Sequence, residues 1–443
     1  MSSGSHPKPT LGFMIALALA STAGLTVEFY SFVIYGYAAT LAFPKIFFPR
    51  LPEVVAITIG FLTFAAGFPA RVIGAFIFGH LGDKISRTLA FFWDLVLVGI
   101  GSTLIAVLPG YNVIGYWGAV LLTISRFIQG LGLGGEYGGA TALLAEFAEY
   151  RGSKYREFWV GWANAGFPLG GLFGALAMLI PNFSTTGWRI AFLLSLVIII
   201  PALAARYAIR ESPFMIKIIE QRLTARAPSL EVFRHYWLPI IALAMFSSFQ
   251  QFDGWTSLTY MVTFMKFLGY PIALTTMIIV IGRLFDLGGV FLNAYFGKYF
   301  TRKAAGYLML AITAAFSWLF TWAIVIKNIP LVIFIESFVV LFGVGLMHAF
   351  APVLASENFP TVYRYSGAGL AYETSTIIGA MFTPSILTAL IGKAVTTKWF
   401  YVPIFYLIYF VIAAIGLALL RETKGIPLES LDKEYLEKRR GKS

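Results

Sequence analysis

Apolar residues in this chain fall in blocks of roughly twenty, separated by short polar breaks, and a helix needs about 20 such residues to cross the ~30 Å hydrocarbon core of a bilayer. That patterning narrows the fold more than any other feature. Of the 443 residues, 58% are hydrophobic and 12% charged, whereas a soluble domain is about 45–50% apolar and about 25% charged. The chain therefore reads as a polytopic helical membrane protein. Twelve spans are expected, near 13–38, 54–79, 89–109, 116–145, 157–181, 188–209, 238–264, 271–296, 304–326, 331–356, 365–391 and 399–420. A polar segment over 210–236, carrying Arg210, Lys217, Arg222, Arg226 and Arg234, divides them into two sets of six. The expected organisation is thus an N-terminal bundle (1–209), a central cytoplasmic loop (210–236), a C-terminal bundle (237–420) and a charged tail (421–443).

The net charge of +12 would suggest nucleic acid in a soluble protein. Here the basic residues flank spans and set topology instead. With the N-terminus inside, 23 of the 33 Lys and Arg fall on the cytoplasmic side and about seven outside, while Arg71, Arg126 and Arg283 lie within spans. Both termini are expected in the cytoplasm of a cell-membrane protein, with part of the tail near anionic lipid. There is no cysteine, and the four histidines show no metal-ligand spacing, so disulfides and thiolate metal sites are excluded. No cofactor, metal or nucleic-acid partner is expected, and the first apolar segment is too long for a cleavable signal peptide.

The halves repeat. GHLGDKISR from Gly79 follows span 2 and GKYFTRK from Gly297 follows span 8; Glu146 with Arg156 follows span 4 and Glu357 with Arg364 follows span 10. The offsets are 218 and 211 residues. Parallel halves related by an axis along the membrane normal belong to one major transporter architecture.

The residues Gly79, Asp83, Lys84 and Arg87 resemble the G-x-x-x-D-R-x-G-R-R loop of the major facilitator superfamily, with Ser86 and Thr88 departing from it. RVIGAFIFGHLGD from Arg71, RFIQGLGLGGEYGGA from Arg126 and ENFPTVYRYSGAGLAYE from Glu357 resemble the metabolite:proton symporter family within it. The resemblance implies an all-α membrane fold, twelve transmembrane helices in two pseudo-symmetric six-helix bundles, and proton-coupled uptake of an organic acid or betaine-like solute. The family's first span often reads E-W-Y-D-F. This chain reads EFYSF, keeping Glu28 and placing Ser31 where the aspartate would stand.

Ionisable groups at mid-membrane are costly and normally face a cavity or a partner. Seven acids fall within spans: Glu28, Asp94, Glu136, Asp253, Asp286, Glu336 and Glu373. Depth along the helices, at 1.5 Å per residue, brings Glu28 level with Arg126, either as a proton switch or as a static pair. It brings Glu136 level with Arg71, as a structural pair shared with Asp94 or as a site for a substrate anion. The six glycines of 130–139 make span 4 a thin helix for close packing; no Walker-type lysine follows them. In span 5 Pro168 is expected to kink the helix. In the C-terminal half Arg283 and Asp286, at i and i+3, share a face. Substrate contacts are expected from Arg283, Gln251, Asp253, Trp255, Tyr30 and Arg71, with an internally neutral Arg283–Asp286 pair as the alternative. Asp83, Lys84, Arg87, Glu146, Arg156, Arg302 and Glu357 are expected to form a cytoplasmic gate network, or else a solvated charge cluster that sets topology only. Nothing resembles an enzyme's nucleophile or metal cluster, and the internal repeat argues against a channel. A monomer moving solute and proton by alternating access is the expectation; a sugar or polyol carrier, suggested by RETKGIPLE from Arg421, and an uncoupled facilitator are the alternatives.

Overall fold

The computed structural model describes residues 9–151, 156–207, 211–220 and 227–440. Arg210, Arg222 and Arg226 of the central loop lie outside the described residues. Helices occupy every expected span. Span 1 is Leu11–Leu41, span 2 Glu53–Lys84, span 3 Arg87–Val107 and span 6 Phe183–Tyr207. Span 4 is Trp117–Tyr150, and span 5 runs as Arg156–Ala163 and Gly166–Ala177. Span 7 is Trp237–Phe267, span 8 Ile272–Tyr299, span 9 Arg302–Val325, span 10 Ile329–Ser356, span 11 Thr361–Ile391 and span 12 Val395–Leu419. Nine helices among the described residues are long and apolar enough to cross a membrane, and span 7, entered at 85° from the surface helix Pro228–His235, makes a tenth. Spans 4 and 5 fall short on that measure for physical reasons: the arginine, glutamates and glycines of span 4 lower its hydropathy, and span 5 is broken. The break lies at Asn164–Ala165, because Pro168 has no N–H to give to the Asn164 carbonyl.

Two apolar cores follow the two halves of the chain, one from Met14 to Ala202 with a few residues of the second half, the other from Val232 to Leu420 with Ala75 of the first half. Ser86 and Thr301 cap spans 3 and 9 through their hydroxyls, accepting from Leu89 N (3.1 Å) and Ala304 N (3.2 Å). The helix ends expected at Gly79 and Gly297 are not found: spans 2 and 8 continue past both. Gly79 serves packing instead, since a Cβ there would stand 2.8 Å from Ser366 Cα of span 11.

Span 4 is the thin helix expected. A Cβ on Gly134 would lie 2.0 Å from the Arg71 carbonyl oxygen of span 2, and one on Gly132 2.5 Å from the Asp94 carbonyl oxygen of span 3. No side chain fits at either distance. Lipid offers no hydrophobic drive for helices to associate, so this approach of backbones is how span 4 gains contact with both neighbours.

The halves touch at both membrane faces. At the face carrying both chain ends, Arg364 reaches Glu146 at 2.8 Å. At the far face Thr40 of span 1 meets Thr263 of span 7 at 2.8 Å, and Glu53 holds Lys266 (2.9 Å) and Lys393 (3.2 Å). The halves are thus in contact at both faces.

Candidate functional site

Of Arg71, Arg126, Arg206 and Arg283, all buried within spans, three are neutralised by carboxylates. Arg71 is the centre. Its Nε and Nη2 grip both oxygens of Glu373 on span 11 (2.5 and 2.8 Å), and Nη2 also donates to Glu28 on span 1 at 2.6 Å. All three side chains are buried. The trio ties the two halves together at mid-depth, beside Tyr137 and Tyr372, whose rings stack at 3.7 Å and 6°.

The pairings expected from depth are therefore exchanged. Glu28 faces Arg71 rather than Arg126, and Glu136 faces Arg206 rather than Arg71. Arg206 donates to Glu136 and, at 2.9 Å, to Asp94, with its guanidinium carbon 3.5 Å from the Phe91 ring centroid. Gly24 makes room for this pair, because a Cβ there would strike Arg206 and Glu136. Gly24 and Glu28 are i and i+4, hence on one face of span 1. Arg206 sits close enough to the end of span 6 to be counted among the topology-setting residues, which hid it; its place within the apolar 188–209 segment was the available signal.

Arg126 is different. Its side chain is fully buried, and among the described residues no carboxylate pairs with it. Nη1 donates to Gln129, whose amide donates to Ser102 Oγ at 2.8 Å. Nε and Nη2 have no hydrogen-bond partner. Rings stand in for a counter-ion: the guanidinium carbon is 3.4 Å from the Phe32 centroid, 4.5 Å from Tyr35 and 4.8 Å from Phe64. Cation–π contacts offset part of the desolvation of a charge but do not neutralise it. Ser31, where the resembled family has an aspartate, lies one turn before Tyr35 and spends its hydroxyl on the Glu28 carbonyl at 2.9 Å.

Trp255 of span 7 inserts into the same aromatic group, 5.0 Å from Phe29, 5.4 Å from Phe32 and Phe64 and 6.0 Å from Phe68. Its Nε1 donates to Gln251 at 3.1 Å. The structure thus brings Gln251 and Trp255 to the centre. It turns Tyr30 away, with the hydroxyl donating to the Ala191 carbonyl of span 6 at 2.7 Å. Asp253 also lies off the centre, accepting from Tyr406 of span 12 at 2.5 Å. Arg283 is buried and paired with Asp286 at 2.9 Å, the internally neutral alternative. Among the described residues no three His, Asp or Glu side chains are arranged to hold a metal ion.

At the face of the chain ends, a repeated device closes the molecule. Arg87 pairs with Glu146, Glu211 accepts from Arg87 N at 2.9 Å, and Ser212 donates to Glu146. In the second half Arg302 pairs with Glu357 at 2.9 Å, Glu422 accepts from Arg302 N at 2.9 Å, and Thr423 donates to Glu357 at 2.5 Å. Glu211–Ser212 and Glu422–Thr423 are thus equivalent, a repeat within RESPF and RETKG that the spacing argument missed. Burial raises the Glu422 carboxyl, but the Lys303, Arg302 and Lys424 amides outweigh it and hold the carboxyl below its ordinary value. The first half's network crosses to the other half. Glu146 also takes Arg364, Arg87 donates to the Thr361 carbonyl at 2.8 Å, and Asp83 accepts from the Ser366 amide at 2.8 Å. Asp83 thereby satisfies amides at the start of the span 11 helix, where the dipole favours an anion. Lys84 is exposed, and the Arg156 side chain lies outside the described residues.

Glu146→Gln should loosen this closure. The chain has no cysteine, so a Ser366→Cys thiol would be its sole target for a membrane-impermeant reagent. Labelling from this face should rise about tenfold, the effect of a shift of ~1.4 kcal/mol toward the open state; unchanged labelling would leave the network without a gating role.

Comparison with known proteins places these features. A family model described as Major Facilitator Superfamily matches residues 10–384. The chain is 32% identical over 390 residues to the inner membrane metabolite transport protein YhjE of Escherichia coli (strain K12), across 83% of this chain and 86% of that one. It is 30% identical over 421 residues to the shikimate transporter of the same strain, across 92% and 94%. It is 28% identical over 442 residues to that strain's proline/betaine transporter, across 93% and 84%. A solved structure of the proton:xylose symporter XylE, bound to 6-bromo-6-deoxy-D-glucose, shares the fold with a TM-score of 0.75 at 20% identity, across 95% of this chain and 99% of that one.

Proposed function

Because this chain belongs to the Major Facilitator Superfamily, whose members are membrane transporters rather than enzymes, we propose that it moves a small organic acid by alternating access, together with a proton. The lone cation at Arg126 carries this reading. A buried charge without a partner costs several kcal/mol, and a solute carboxylate would remove that cost. Arg71 holds Glu373 through Nε and Nη2, and the same two nitrogens of Arg126 have no hydrogen-bond partner. A carboxylate would take that edge as a bidentate pair. Arg71, Arg206 and Arg283 are already paired, so one carboxylate per solute is the charge the centre accepts. The body of the solute would then lie against Phe32, Phe64 and Trp255.

The proton is assigned to Glu28. Glu28 and Glu373 share one arginine, and a single proton makes the trio neutral; Glu28 Oε2 has no hydrogen-bond partner. A second reading is a betaine-like zwitterion. The rings of Phe29, Phe32, Phe64, Phe68 and Trp255 suit a quaternary ammonium, and one relative is a proline/betaine transporter. The Lys and Arg asymmetry supports both termini in the cytoplasm of the cell membrane.

The test is uptake into proteoliposomes with an inside-alkaline pH gradient against none. Labelled shikimate, a dicarboxylate, glycine betaine and xylose form the panel, for wild type and Glu28→Gln. Gradient-driven accumulation of an acid, markedly reduced in Glu28→Gln with counterflow retained, is expected. Equal equilibration with and without the gradient would make the protein a facilitator.

A further inference from the structure

We infer that Glu336, in span 10 of the second half, is a second proton-binding site, separate from the Glu28–Arg71–Glu373 centre; the inference rests on the reading of proton-driven transport above. Among the described residues Arg283 is the one arginine acting on three buried carboxylates: Asp253 of span 7, Asp286 of span 8 and Glu336. Asp286 holds it at 2.9 Å and has His348 Nδ1 of span 10 at 3.4 Å on its other oxygen. Asp253 is fixed by the Tyr406 hydroxyl of span 12, within its own half. Glu336 is the loose member. Its Oε1 stands 3.8 Å from Arg283 Nη2, beyond hydrogen-bond reach, and its Oε2 has no hydrogen-bond partner.

A carboxylate buried to that degree with an incomplete ion pair neutralises by taking a proton. The remaining groups around Arg283 are hydroxyls: Ser257 of span 7, donated to at 3.3 Å, and Tyr37 of span 1, which lies in the field of Arg283 and Glu336 and whose own hydroxyl has no hydrogen-bond partner. The helix is shaped for the carboxyl, since a Cβ on Gly282 would come within 3.0 Å of Glu336 Cγ and Oε1.

The site also senses the movement of the halves. A Cβ on Gly171, in span 5 of the first half, would stand 2.9 Å from Arg283 Cδ, so the arginine lies against the surface that shifts when the halves rock. Displacement of Arg283 by about an ångström toward Glu336 would complete the ion pair and expel the proton; retreat would readmit one. Span 10 carries a π-turn at Leu341–Gly345, just beyond Glu336, and such turns recur at functional sites. Asp253 also leaves one oxygen without a hydrogen-bond partner, but its other oxygen is anchored by Tyr406.

Two readouts test this. In purified protein without solute, infrared spectra of wild type should contain a protonated-carboxyl band that Glu336→Gln lacks and Glu336→Asp retains, shifted. In proteoliposomes with the membrane potential clamped at zero, two protons per labelled shikimate give about 100-fold accumulation for one unit of pH, and one proton about tenfold. Glu336→Gln should fall from the first to the second. An unchanged band in Glu336→Gln overturns the site. Failure of wild type to accumulate shikimate or any acid of the panel, with the band still lost in Glu336→Gln, would sink the symport reading and keep the proton site.

Discussion

Arg126→Gln is expected to weaken transport of the anionic solute by on the order of 10²–10³-fold, the range for truncating one partner of a buried charge pair. The same substitution should leave the solute-free protein as stable as wild type or more so. The two halves of this expectation have one origin. Wild type keeps the guanidinium fully buried against Phe32, Tyr35 and Phe64 with no carboxylate, so removing the charge relieves a desolvation cost that only the solute offsets. Arg126→Lys should fall between, since a lysine keeps the charge and loses the planar fork. Ser31→Asp should mimic Arg126→Gln in transport by supplying an internal carboxylate one turn from Tyr35. Thermal unfolding with and without solute, beside uptake, checks all three. If Arg126→Gln melted far below wild type without solute, the arginine would be a structural cation and the solute would bind elsewhere.

The sequence made some of this legible and could not make the rest so. Span positions follow from twenty-residue apolar blocks because the bilayer imposes a length. Span 5 shows the limit of that reading: Pro168 foretells a break, and the break falls before it, at Asn164, whose carbonyl takes the Phe167 amide instead of the N–H that Pro168 lacks. Depth along a helix is one coordinate, and it put Glu28 level with Arg126 and Glu136 level with Arg71. Which arginine each acid meets depends on rotation about the helix axis, which Gly24 and Gly134 decide by letting particular faces approach. Glu373 shows a second limit. It is visible as an acid within a span, yet its partner lies 302 residues earlier, across the two halves, where no local pattern reaches. The absence of a carboxylate at position 31 was visible in EFYSF; the buried cation without a partner needed the packing around Arg126.

Arg71→Gln should behave in the opposite way to Arg126→Gln. It leaves Glu28 and Glu373 together in a buried space without their shared cation, and breaking such a pair costs about 3–5 kcal/mol. The expected result is a large drop in melting temperature and loss of transport, whether solute is present or absent. Removing the stranded charges should restore folding: Arg71→Gln with Glu28→Gln and Glu373→Gln should melt near wild type, because replacing a whole buried ion group by neutral residues is often close to neutral. Transport should not return, since the triple variant has neither the proton site nor the tie between spans 1, 2 and 11. Near-wild-type melting of the single variant would mean that the carboxylates already carry protons or reach another donor, and Arg71 would then be a positioning residue for the solute rather than the link that holds the two halves at mid-membrane.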